Sequence, residues 1–150
     1  MTEITRTRTI AATPQAIWDV LADFGSISVW ADNVDHSCVL QPGDNGAPTG
    51  TTRRIQAGRK TLVERIIEFD APRTLAYDIE GLPPRLRTVR NRWELRPEGD
   101  GATVATLTTT VDIGPRPPQQ LAARVVGRVL AKQSDVMLAG LADHLENSRV

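Results

Sequence analysis

The pattern of apolar and polar positions divides the chain into a first strand with two short helices, a long run of strands and a terminal helix. Residues Ile4 to Ala11 alternate in a threonine-rich run, which predicts the first strand. Thr13 followed by Pro14 predicts the start of a helix with Thr13 as its N-cap. We expect a second short helix next, capped by Ser26 and carrying Trp30.

The middle of the chain predicts a meander of six antiparallel strands, because turn residues recur about every ten positions between His36 and Val111. The periodicity changes after residue 118, and Gln119 to about Asn147 predicts one long amphipathic helix. Gly127 and Gly140 interrupt this helix, at a cost of about 1 kcal/mol each relative to alanine. They indicate a close approach or an opening there, with sequence drift as the alternative.

A tight hairpin in the middle of the chain brings two opposite charges together. Glycine at the first central position suits a type II′ turn, so Gly58 and Arg59 are predicted to form the hairpin tip. In the register that follows, Arg53 faces Glu64 across the two strands, in a row that is otherwise apolar. Because charges are rarely buried without a partner, this row indicates a partly polar interior, which we interpret as a ligand cavity.

The neighbouring strands add polar tips to the same interior. A turn that pairs Phe69 with Thr74 places Tyr77 on the inward row of its strand. On the next strand, alternation places Asn91 and Trp93 on the apolar face, which we expect to point inward.

Composition excludes several classes of function. Eighteen basic and eighteen acidic side chains cancel, so no net field recruits nucleic acid. The lone Cys38 excludes an internal disulfide, and His36 and His144 supply too few ligands for a typical zinc site. No nucleophile elbow, phosphate loop or dinucleotide motif occurs. We therefore expect no metal and no cofactor.

Size and the distribution of apolar residues indicate one domain covering residues 1–150. The N-terminal residues lack the apolar run of a signal peptide, and no segment is apolar over the length of a bilayer. We therefore expect a cytoplasmic location without membrane insertion. The sequence leaves the oligomeric state open.

Several short motifs occur in a recognisable order along nearly the whole chain. They are Ala12–Trp18, Leu21–Phe24, Trp30, Gly50–Arg54, Glu64, Phe69–Arg73, Tyr77 and Gly101–Val104. With this order of elements, the chain resembles the START-like (SRPBCC) superfamily of polyketide cyclases/dehydrases and lipid-transport proteins. The resemblance implies an α+β helix-grip fold, in which a curved seven-stranded antiparallel sheet surrounds a long C-terminal helix and two short helices follow strand 1. It also implies a cavity between the sheet and that helix.

Side chains expected to reach this cavity are the candidate ligand-binding residues. They are Trp30, Arg53, Glu64, Tyr77, Asn91, Trp93, Gln133 and Met137. Asn91 and Gln133 are amides on apolar faces and need hydrogen-bond partners. Met137 supplies an adaptable lining.

The pair of Arg53 and Glu64 has two interpretations. One is a structural cross-strand ion pair. In the other, Arg53 holds a ligand carboxylate, carbonyl or phosphate, and Glu64 orients it or accepts a proton.

The leading hypothesis is binding, and with it transport or sequestration, of a hydrophobic or amphipathic small molecule. The alternative is a cyclase or dehydratase acting on a polyketide-like or aromatic substrate, with Arg53 and Glu64 as candidate catalytic residues. A protein-interaction module is a third class, without positive support in the sequence.

Overall fold

Seven strands form one antiparallel sheet within the residues that the computed structural model describes, which are 2–82, 88–112 and 117–147 without the side chains of 44 and 117–123. In chain order they are β1 (Thr2–Ile10), β2 (His36–Gln41), β3 (Thr52–Ala57), β4 (Lys60–Asp70), β5 (Thr74–Glu80), β6 (Thr88–Pro97) and β7 (Thr103–Asp112). Their order across the sheet is β1-β7-β6-β5-β4-β3-β2. The predicted meander of six strands after β1 is confirmed.

The helices lie where the sequence predicts them, with one correction at a cap. Helix α1 spans Pro14–Ala22, and the amide N–H of Ala16 donates to Oγ1 of Thr13 at 3.2 Å. A 3₁₀ helix follows at Phe24–Val29, and a shorter one lies at Asp44–Gly46. Ser26 is not the predicted cap, because its amide N–H donates to the carbonyl of Asp23 and places it inside the first turn.

The long helix α2 spans Pro117–Asn147 and packs against β1 and β7. Its buried residues are Ala131, Ser134, Met137, Leu138, Leu141, Ala142 and Leu145. Gln133, which the sequence analysis places on an apolar face, is exposed. Ser134 and Leu138 are the residues that the helix buries at this level. No helix in the described part of the chain has both the length and the apolarity that crossing a bilayer requires.

The predicted hairpin between β3 and β4 is confirmed. Gly58 adopts a positive φ of 62°, which suits the first central position of the turn. Ala57 pairs with Lys60, and Arg53 pairs with Glu64. The register of the ion pair is therefore the one that the turn sequence dictates.

The β4–β5 pairing differs from the prediction near its turn. Phe69 pairs with Leu75 rather than Thr74, but a β-bulge between Ile66 and Glu68 shifts the register and returns Ile66 to Tyr77. The bulge inserts one residue on β4, so the inward face passes from even to odd positions. Phe69 then packs edge-on against Trp18 of α1, with ring centroids 5.0 Å apart.

The two glycines of α2 differ in how closely other parts of the chain approach them. A Cβ atom at Gly140 would overlap the carbonyl oxygen of Trp30 and would lie 3.4 Å from its carbonyl carbon. At Gly127 the nearest atoms are the side-chain carbons of Ile4 at 4.0 Å. The predicted close approach therefore exists at Gly140, whereas Gly127 has ordinary space around it.

Candidate functional site

A cavity of about 400 Å³ lies between the inner face of the sheet and α2. Its walls are mainly apolar side chains of β3 to β6, of α2 and of the 3₁₀ helix and the loop after it. The polar lining residues are Asn33, Lys60, Glu64, Asn91, Thr109, Gln133 and Ser134. This volume falls within the usual range of small-molecule sites, about 300–1,000 Å³.

Glu64 is the charged group deep in this cavity, and β4 places it next to Arg53 of β3. Arg53 donates from Nε at 2.8 Å and from Nη2 at 2.6 Å, and both hydrogen bonds go to Oε1 of Glu64. Arg53 is 2% exposed and Glu64 5% exposed. The pair is therefore a buried, charge-assisted contact rather than a solvated one.

Arg53 is held on every side by the protein. Its Nη1 donates to the carbonyl of Phe24 at 2.9 Å. Its guanidinium carbon lies 3.7 Å from the centroid of the Phe24 ring and 4.6 Å from that of Tyr77, so both rings make cation–π contacts with it. Arg53 does not line the cavity, and Glu64 lies between it and the open space.

The electrostatics of Glu64 combine two opposing effects. Burial raises the pKa of its carboxyl above the ordinary value, and the charge and hydrogen bonds of Arg53 oppose that rise. The Arg53 guanidinium favours the ionised form of Glu64, because a protonated Glu64 would leave this buried cation without a counter-charge. The carboxylate thus offers an acceptor to the cavity.

A second polar part of the lining is formed by three residues, one each from β6, β7 and α2. The Thr109 hydroxyl donates to Oδ1 of Asn91 at 2.6 Å and lies 3.5 Å from Oγ of Ser134. All three residues are buried and line the cavity. They form a fixed polar edge that could orient a ligand.

The aromatic candidates form the core beside the cavity instead of its lining. Nε1 of Trp93 and Nδ2 of Asn91 both donate to the Tyr77 hydroxyl, at 3.3 and 3.4 Å. Trp30 packs edge-on against Trp93 with ring centroids 5.9 Å apart, and no described residue accepts a hydrogen bond from its buried Nε1. Burial, followed by the charge of Glu64, raises the pKa of Tyr77 above its ordinary value.

The mouth of the cavity carries groups that meet solvent. Lys60, Val129 and Gln133 are exposed and line the cavity, and Leu82 adds a half-buried apolar side chain. A ligand entering here passes a flexible ammonium group before it reaches Glu64.

A second depression, of about 550 Å³, lies between β1 and α2. It is shallow and open, and its lining is largely charged, with Arg6 and Asp135 forming an exposed ion pair at 3.6 Å. It contains no predicted site residue, so the enclosed cavity is the better candidate. In the described part of the chain, no group of three or more histidine, cysteine, aspartate or glutamate side chains is placed to hold a metal ion.

The structure therefore divides the candidate residues into two sets. Glu64, Asn91, Gln133 and Met137 line the cavity. The candidates that support it from the adjacent core are Trp30, Arg53, Tyr77 and Trp93.

Sequence reasoning missed four polar lining residues, Asn33, Lys60, Thr109 and Ser134. A signal for Thr109 was present, because a hairpin at residues 97–101 sets Asn91 opposite Thr109. Asn33 lies in a loop whose position depends on tertiary packing, and nothing in its local sequence marks it.

The family model described as polyketide cyclase/dehydrase and lipid transport matches residues 1–146. The chain belongs to this family. This member of the polyketide cyclase/dehydrase and lipid transport family has the helix-grip arrangement of sheet and long helix, with the cavity between them. Among curated sequences, none matches the chain.

Solved structures share this fold across nearly the whole chain. The Zhui aromatase/cyclase from Streptomyces sp. R1128 superposes with a TM-score of 0.82 at 18% identity, covering 99% of this chain and 96% of that one. A START superfamily protein from Mycobacterium smegmatis gives 0.77 at 14% identity, with 97% of each chain covered. A protein from Thermobifida fusca gives 0.80 at 25% identity, covering 98% of this chain and 95% of its own. These likenesses establish that this family member has the fold of START and aromatase/cyclase proteins.

Proposed function

We propose that this protein binds a hydrophobic or amphipathic small molecule in the cavity between its sheet and α2. The observation that carries the proposal is a partly enclosed, mainly apolar cavity of about 400 Å³ with a buried carboxylate on one wall. Burial of apolar ligand surface stabilises a complex by about 25 cal/mol per Å². The few fixed polar groups then set the orientation of the ligand.

Native mass spectrometry of the purified protein tests this proposal by searching for a co-purifying small molecule. Fluorescence titration with 2-methoxynaphthalene measures whether the cavity takes an aromatic ligand. Leu130→Trp fills the cavity from α2, whereas Val125→Trp adds the same ring at an exposed position of that helix that does not line the cavity. Saturable binding that Leu130→Trp abolishes and Val125→Trp keeps is the expected result. Equal binding by both variants would refute a site in this cavity.

A cyclase or dehydratase activity is the second candidate, favoured by the position of Glu64. Its carboxyl group lies in the cavity, where it could give or take a proton, and burial raises its pKa above the ordinary value. Asn91, which lines the same cavity two strands away from Glu64, would position the substrate.

The isosteric Glu64→Gln variant separates the two candidates, with a synthetic linear oligoketide as the assayed substrate. Retained binding with lost turnover supports catalysis, whereas binding without turnover in the wild type supports a binding protein. Arg53→Ala reports on the support of Glu64, because Arg53 itself does not line the cavity.

A further inference from the structure

We propose that the ligand presents a neutral hydrogen-bond donor, a phenolic or alcoholic hydroxyl, to Oε2 of Glu64. This inference rests on the proposed binding function and defines the chemistry of the ligand at one point. It follows from the unequal use of the two carboxylate oxygens.

The two oxygens of Glu64 have different partners. Both hydrogen bonds from Arg53 go to Oε1. Among the described residues, none donates a hydrogen bond to Oε2, although Glu64 is 5% exposed and lines the cavity. An ionised carboxylate oxygen can accept two hydrogen bonds. Oε2 keeps access to the cavity, so a ligand that covers it without offering a donor leaves this oxygen unpaired, which is costly. A ligand donor supplies the missing partner.

The alternative of a ligand acceptor on Arg53 does not fit this geometry. The guanidinium is covered by the rings of Phe24 and Tyr77 and donates to Glu64 and to the Phe24 carbonyl. A ligand carboxylate in the cavity would therefore meet the Glu64 carboxylate before it could reach Arg53. Two carboxylates in contact repel each other, which disfavours an anionic ligand group beside Glu64.

A neutral donor also fits better than an ammonium group. Arg53 already balances the charge of Glu64, so an added cation would be left without a counter-charge in a buried site. The exposed ammonium of Lys60 lines the same cavity and adds a further positive charge. A hydroxyl gains the charge-assisted hydrogen bond without bringing a charge of its own.

The walls beside Glu64 indicate what carries the hydroxyl. Across the sheet, Glu64 pairs with Ile79, and Ile79 pairs with Val89. Both apolar side chains line the cavity. An apolar or aromatic scaffold can therefore lie over Ile79 and Val89 with its hydroxyl directed at Oε2.

A pair of probes tests this inference. 2-Naphthol carries the donor, and 2-methoxynaphthalene carries the same ring without it. We compare the ratio of their dissociation constants in the wild type and in the Arg53→Met/Glu64→Leu double variant, which removes both members of the ion pair and leaves no unpaired buried charge. A hydrogen bond to a charged group corresponds to about ten- to hundredfold in affinity, so the preference for 2-naphthol is expected to fall by that factor.

The matched control removes an ion pair of the same type outside the cavity. Arg90 and Asp78 form such a pair at 2.8 Å, with both side chains partly exposed. The Arg90→Met/Asp78→Leu double variant is expected to keep the wild-type ratio. If circular dichroism shows that the Arg53/Glu64 double variant does not fold, Glu64→Gln takes its place, with an expected fall of several-fold because the neutral amide is the weaker acceptor.

The outcomes separate this inference from the proposed function. Equal affinities for the two probes, a preference for the methyl ether, or a ratio that the variant leaves unchanged would overturn the donor inference while the binding function stands. Binding of neither probe by the wild type would overturn the donor inference together with the proposed function.

Discussion

Replacement of Gly140 by alanine is expected to destabilise the protein, although alanine is the better helix former. The new Cβ atom would overlap the carbonyl oxygen of Trp30, and its other near neighbours are the Trp30 carbonyl carbon at 3.4 Å and Cα of Ala31 at 3.7 Å. All three are backbone atoms, so no side chain can rotate away. Restoring a normal separation requires α2 to move by roughly 1 Å. Overpacking of this kind destabilises by about 1–3 kcal/mol, partly offset by about 1 kcal/mol of helix propensity.

We therefore expect Gly140→Ala to lower the free energy of unfolding by up to about 2 kcal/mol in urea denaturation monitored by circular dichroism. Gly127→Ala is the matched control, because the same substitution in the same helix meets only the Ile4 side chain at 4.0 Å. It should stabilise by about 0.5–1 kcal/mol. Equal effects of the two substitutions, or a stabilised Gly140→Ala variant, would refute the close approach of α2 to the Trp30 segment.

Three further predictions concern the buried charges. Arg53→Ala should destabilise by about 3–5 kcal/mol because it leaves Glu64 buried without a partner, and Arg53→Met/Glu64→Leu should recover most of that loss in the same denaturation assay. The Glu64 pKa is raised, so its contribution to stability is fully present below the ordinary value of 4.5 and declines as pH rises through the folded value. Denaturation of the wild type and Glu64→Gln across this range should show a wild-type advantage that shrinks with pH, whereas a growing advantage would contradict burial as the dominant effect. Tyr77 is the single tyrosine, so its ultraviolet titration should begin above the ordinary pKa of 10.0 and should shift down in Glu64→Gln, where the negative charge is gone.

Local sequence was sufficient for the parts of the fold that short-range rules control. The turn at Gly58 sets the register of β3 and β4, and this register alone brings Arg53 to Glu64. Thr13 and Pro14 likewise define the start of α1 locally, as its N-cap and its first helical residue. In each case, the residues that determine the geometry are adjacent in the chain.

The remaining errors come from interactions that the local pattern does not contain. The bulge between Ile66 and Glu68 shifts the β4–β5 register, and Phe69 beyond it packs against Trp18, which is distant in the sequence. The apolar stripe of α2 is broad, so its rotation depends on the contact at Gly140 with the Trp30 segment.

The candidate site was predicted only in part, from the alternation of side chains along the strands. Alternation identified which side chains face inward, but it could not distinguish those that line the cavity from those that fill the core beside it. Arg53 and Tyr77 share their inward rows with Glu64 and Asn91, yet only the latter two border the open space.

The enclosure of Arg53 separates two kinds of evolutionary change. The atoms that hold its guanidinium belong to Phe24, Tyr77 and Glu64, whereas Ile79 and Val89 form apolar wall without contributing to that support. Substitutions in the wall can therefore alter the shape offered to a ligand while the cation beneath stays neutralised. Ligand specificity can therefore change in evolution through the wall residues, without loss of the buried Arg53–Glu64 pair.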